Sequence, residues 1–192
     1  MSPDSTVHRF ETEFFQPGRS AERVGRFFGV HYLIETGKVT DRRTLRFASI
    51  DELLADIDRI VEADKAGKLR RTGNWTAGQA FGHLAAWLNY AYEGYPINPP
   101  WFIRLLIRTR KKKYLHDGMA AGVRIPGSKD GTFATEALTT DEGAARLRQA
   151  LARLKSGEPP KFDSPAFGKM PCDERVAINL RHAQLHFSFL HP

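Results

Sequence analysis

A chain of 192 residues, 41% of them hydrophobic, is long enough for one well-buried core and short for two. Its supply of Leu, Ile, Val and Phe excludes global disorder, and no apolar run approaches the ~18–20 residues of a membrane span. The formal charge of +7 raises the question of nucleic acid, but the excess lies in two local clusters, Lys68–Arg71 and Arg104–Lys113, with no helix-turn-helix or RNA-binding pattern around them.

A nucleic-acid partner is therefore not expected. The run Arg110–Lys113 reads first as a solvated helix end, where cations suit the dipole, and second as a contact for an anionic ligand or a membrane surface. The single cysteine, Cys172, leaves no internal disulfide. Together with an N-terminus that has early acids and no continuous apolar stretch, it leads us to expect a cytoplasmic protein.

Residues 1–41 show scattered apolar residues and no sustained period, and we expect an extension that is poorly ordered or partly helical, ahead of a domain over 42–192. "FASIDELLADIDRIVEADKAGK" then predicts a helix. Ser49 and Glu52 are spaced as a capping box, and Ile50, Leu53, Leu54, Ile57, Ile60 and Val61 form one stripe. Its acids, Asp51, Glu52, Asp56, Asp58 and Glu62, are expected mostly in solvent, and Gly67 marks the end.

"NWTAGQAFGHLAAWLNYAYEGYP" predicts a second helix from Ala77 to about Tyr92, with Thr76 and Gln79 as its capping box. "NPPWFIRLLIRTRKKKYL" predicts a third, opened by two prolines, with Phe102, Leu105 and Leu106 on its apolar face. His116–Thr140 reads as a long loop, a length often tied to function. A helix capped by Thr140 or Asp141 follows, turning Leu147, Leu151 and Leu154 inward, and a last one runs from near Cys172 to Leu190. Five helices without a convincing strand predict an all-α bundle.

The chemistry concentrates in histidines. His182 and His186, one helical turn apart, can both reach one metal ion, although such a pair taken alone reads first as structural histidines. His83, mid-helix among Phe81, Leu84 and Trp87, carries a free-energy cost unless its nitrogens find partners. If the two helices are neighbours, the three rings form one face and leave coordination positions open, which is the mark of catalytic rather than closed structural sites. Gln79 and Asn179 are spaced to face that site as hydrogen-bonding partners, with helix capping the competing role of Gln79. Trp87 and Tyr90 are candidates for a pocket wall. Cys172 stands ten residues from His182, about 15 Å along a helix, and is too remote to be a fourth ligand. Arg124 and Lys129, in the long loop, could meet an anionic group or simply be solvated.

"NWTAGQAFGHLA", "AFGKM" and "RHAQLHFSFL" resemble the DinB/YfiT-like superfamily of bacterial four-helix-bundle metalloproteins, within a branch known only as a family of unknown function. "RRTLRF" and "GVRIPG" extend the likeness, which covers Arg42 to Leu190. The resemblance implies a four-helix bundle with an extra helix and a long central loop. It also implies a divalent ion, zinc or nickel, on His83, His182 and His186. It further implies thiol-dependent transferase chemistry with a low-molecular-weight thiol as co-substrate, and a homodimer. A divalent ion on three imidazoles brings a bound water or thiol towards a pKa of ~7, so hydrolysis or thiol transfer to a small-molecule electrophile are the expected reactions. The rival readings are a non-catalytic metal-binding or stress-response protein of the same fold and, third, a basic module associated with nucleic acid.

Overall fold

The computed structural model describes residues 34–125, 128 and 131–192. The expected extension over 1–41 lies outside these residues up to position 33, together with His8 and His31, and so does Lys129. One compact unit spans Ile34–Pro192. It is mostly helical: α1 Ile50–Lys65, β1 Arg70–Arg71, α2 Ala77–Glu93, α3 Trp101–Thr109, α4 Lys111–Asp117, α5 Thr140–Lys155, α6 Cys172–Phe187 and β2 Leu190–His191.

The caps show why the long helices begin where they do. Ser49 accepts the Glu52 N–H at the start of α1, while the Glu52 carboxylate takes the Ala48 N–H, one residue before the expected reciprocal partner. The box on α2 is complete, with Gln79 N–H on the Thr76 hydroxyl and Thr76 N–H on the Gln79 side chain. At α5 the cap is Thr139, not Thr140 or Asp141, because only Thr139 has a glutamate three residues on to close the box.

Apart from Phe47 and Leu190, the main core comes entirely from α1, α2, α5 and α6. Ile57, Ile60, Phe81, Leu147, Leu151, Leu154 and Phe187 are fully enclosed, and each large apolar side chain so buried contributes roughly 1.5–3 kcal/mol. The Phe187 ring meets Phe81 and Phe47 edge-on, at 5.2 and 6.2 Å between centroids. Helices α2 and α5 approach backbone to backbone. A Cβ on Gly143 would lie 2.5 Å from the Gly78 carbonyl oxygen, so no larger residue fits there without separating them.

Several further expectations are corrected. Asp56, expected in solvent, is wholly buried, since it shares the inward side of α1 with Leu53, Ile57 and Ile60. Its carboxylate takes a two-pronged contact from Arg43, at 2.7 and 3.0 Å, and a further pair of bonds from Arg59. The third helix is two, because the backbone bends at Arg110 (φ −99°, ψ 3°), and Phe102, Leu105 and Leu106 are exposed. The last helix stops at Phe187. Beyond it, Leu190 and His191 pair antiparallel with Arg71 and Arg70, a short strand pair where no strand is expected. The expected loop from His116 loses its first two residues to α4.

The segment before α1 ties these ends together. Arg43 donates its backbone N–H to the Ser188 carbonyl (2.8 Å) and its guanidinium to the Leu190 carbonyl (3.0 Å). Arg42 reaches the Ser188 hydroxyl at 2.9 Å and covers the Phe189 ring. The C-terminal end of α6, which carries His182 and His186, is thereby anchored to α1.

Candidate metal centre

Helix α2 places His83 in its middle, 2% exposed, between the enclosed Phe81 and Leu84. Helix α6 presents His182 and His186, both half-buried, one turn apart. The three rings converge. His83 Nε2 stands 3.2 Å from His182 Nε2, and His186 Nε2 stands 3.1 Å from the same atom. All three ligand atoms lie within 4.8 Å of one another.

The proton inventory gives this geometry its meaning. His83 Nδ1 is 2.9 Å from the Phe133 carbonyl oxygen, which can only accept, so Nδ1 carries the hydrogen and Nε2 presents a lone pair. His182 Nε2 has at most one hydrogen to offer and faces two ring nitrogens. In neutral rings, one linear hydrogen bond cannot serve both contacts. A cation between them satisfies all three lone pairs together. Two of the three separations, 3.1 and 3.2 Å, match the about 3.3 Å between nitrogens that sit ~2.0–2.1 Å from a common ion in roughly tetrahedral disposition.

Burial keeps the rings neutral, as ligands must be. It pushes His83 down to about 4, against the opposing effect of hydrogen bonds to the backbone at Phe133 and Ala134. His182 and His186 are lowered well below the usual imidazole value, first by burial and then by the neighbouring histidines.

Indoles enclose the cluster. Trp75 stacks on His186, with centroids 4.9 Å apart, and also lies 4.8 Å from His83. Trp87 stands 6.0 and 6.1 Å from His83 and His182, and its buried Nε1 has no hydrogen-bond partner among the described residues. Tyr90 packs against Trp87 at 5.5 Å. The aromatic pair expected as a pocket wall therefore sits beside the triad, Tyr90 one layer further out.

The two expected amide partners have other engagements. Gln79 closes the α2 capping box, and Asn179 donates its side-chain N–H to the Arg175 carbonyl at 2.8 Å, one turn back on α6. The hydrogen bond that orients His83 comes instead from Phe133, in the segment between α4 and α5. The next residue, Ala134, has φ +57°, the one non-glycine residue in the left-handed region among those described. Neither Phe133 nor Trp75 stands out in the sequence. A backbone carbonyl leaves no side-chain signal. Trp75, directly before the Thr76 cap, has only the ambiguous signature of a staple residue.

The remaining candidates lie apart from the cluster. Cys172 is exposed and unpaired. His116 bonds Asp117, His191 contacts Arg70, and Arg124 lies over Gly131. A cavity of about 230 Å³ between α2 and α5, lined by Gly82, Asn89, Tyr90, Ala134 and Arg146 among others, contains none of the three histidines. No helix among the described residues is long and apolar enough to cross a membrane.

A family model described as a protein of unknown function, DUF1569, matches residues 39–192. No curated protein and no solved structure matches the chain.

Proposed function

The chain belongs to the DUF1569 family, and from that premise we propose that it is a metal-dependent enzyme built on a DinB/YfiT-like four-helix bundle. In this reading α1, α2, α5 and α6 are the four bundle helices and α3–α4 the insertion. His83, His182 and His186 hold one divalent ion, zinc or nickel. The observation that carries the reading is the clustering of three imidazole nitrogens within 4.8 Å of one another, two of their separations being 3.1 and 3.2 Å.

Once bound, such an ion supplies Lewis acidity, with positions left open by only three protein ligands. The chain's own residues do the rest. Phe133 holds His83 in the tautomer that presents Nε2. Trp75, flat against His186, restricts rotation of that ring. Trp87 offers an N–H to an acceptor on a small-molecule substrate, which would satisfy a donor otherwise left without one. His182 and His186 are less completely buried than His83, and a substrate enters from their side. The reaction class is transfer of a low-molecular-weight thiol to an electrophile, or hydrolysis.

The test is turnover. Metal-loaded chain is incubated with panels of small thiols plus electrophiles, and of esters and amides, with products read by mass spectrometry. We expect product formation that His182→Ala abolishes. A chain that binds its ion stoichiometrically yet turns over nothing in either panel would be a metal-binding protein without catalysis, and the enzymatic reading would fall.

A further inference from the structure

Helix α3 is built unlike the four core helices. It contains no buried residue, yet six of its nine positions are large and apolar, four of them exposed. Trp101, Phe102, Leu105 and Leu106 are 70, 55, 57 and 56% exposed. The spacings Trp101–Leu105, Phe102–Leu105 and Phe102–Leu106 put them on one outward stripe, while the half-buried Ile103, Arg104 and Ile107 form the opposite side. Four neighbouring large apolar side chains held in solvent are costly and mark a contact surface.

The charge around the stripe says what kind. Between Gly94 and His116 there is no acid, and six cations occur. Lys111 is engaged by Glu174 and Lys113 by Asp117. Arg108, Arg110 and Lys112 are exposed and make no ion pair among the described residues. An apolar stripe of Trp, Phe and Leu edged by arginines and lysines is the composition of a helix lying in the plane of an anionic bilayer surface, its rings at the headgroup level and its cations among the phosphates.

We infer that α3 and the start of α4 form a peripheral docking surface for an anionic lipid membrane. Two other occupants fit less well. Pairing with the same face of a second copy would set both sets of cations against each other. A helix about 14 Å long is also a small contact beside the roughly 800 Å² per partner of a stable dimer. A nucleic acid would use the cations but leave the stripe without a purpose.

The experiment is co-sedimentation of the full chain with unilamellar vesicles, either phosphatidylcholine alone or with about one-third phosphatidylglycerol as the anionic lipid. Binding to the anionic vesicles is expected, and binding at least about ten-fold weaker to the neutral ones. Leu105→Glu with Leu106→Glu should abolish it while leaving the thermal melt unchanged, because both side chains are exposed. Arg110→Glu with Lys112→Glu should weaken it by about five-fold or more per cation removed. Three results would overturn the inference: no sedimentation with anionic vesicles, sedimentation indifferent to the two leucine substitutions, or a solution dimer that those substitutions dissolve in a chain with no vesicle binding. None depends on the metal site, whose own test reads turnover.

Discussion

Trp75 lies flat on His186, with ring planes 6° apart and centroids 4.9 Å apart, although the two residues are 111 positions apart in the chain. The stack joins the residue just before the α2 cap to the last histidine of the cluster, so it fixes α2 against α6 as well as fixing the ring. Trp75→Ala removes both effects. We expect metal affinity to fall about 10–100-fold, as when a ligand's supporting partner is lost. Titration with zinc in competition with a chelator measures it. Unchanged affinity in a folded Trp75→Ala chain would mean that the stack is only packing.

Ala134 tests the backbone that orients His83. Its φ of +57° costs an L-residue roughly 1–2 kcal/mol. Ala134→Gly should therefore raise stability by about 1 kcal/mol while keeping the Phe133 carbonyl on His83 Nδ1. Ala134→Val, with a branched Cβ in that conformation, should lower stability and loosen the metal. Urea melts of the two variants should move in opposite directions; movement in the same direction contradicts the strained turn.

The metal-free chain should weaken on acidification. Burial holds His83 at about 4 when folded, against an ordinary 6.5. Between these values the unfolded chain binds more protons, so the contribution is complete above about pH 6.5 and is lost as pH falls through about 4. His83 alone accounts for about 3 kcal/mol over that window, and His182 and His186 act in the same direction. Urea midpoints measured from pH 7 downwards should decline steadily, and less steeply for His83→Gln. A profile that is flat, or rises towards pH 5, contradicts neutral buried rings.

Asp56 is the buried hinge of the charge network that reaches the end of α6. Asp56→Asn leaves the largely buried Arg43 without its carboxylate and should cost about 3–5 kcal/mol. Asp58→Asn, one side of an exposed pair with Arg148, should cost under about 1 kcal/mol. Because Arg43 also holds the Leu190 carbonyl, the first variant should bind metal less tightly and the second should not. Equal effects would remove Asp56 from the account.

What could be read from sequence was local. The box of Thr76 and Gln79 and the period after it locate α2 almost to the residue, because cap and stripe lie within one segment. His182 and His186 stand out through their spacing on one helix and His83 through its apolar neighbours, both of which are local properties. What escaped depends on distant partners. Asp56 looks like any surface acid until Arg43 is folded over it, and Arg70–Arg71 has no strand signal apart from Leu190–His191. The Phe133 carbonyl that sets the His83 tautomer belongs to a loop whose path no periodicity encodes. The outward side of α3 has the pattern of an ordinary amphipathic helix, and the sequence alone does not say which way it faces.

The central claim is that three imidazoles, from α2 and α6, bind one divalent ion. The most direct measurement is the metal content of the purified full chain, by mass spectrometry, together with X-ray absorption at the metal edge. The account predicts about one ion per chain, with three imidazole nitrogens at ~2.0–2.1 Å and no sulfur, and loss of the ion in each of His83→Ala, His182→Ala and His186→Ala. An ion retained by His182→Ala, or a chain that takes up no zinc or nickel when both are supplied, would contradict it.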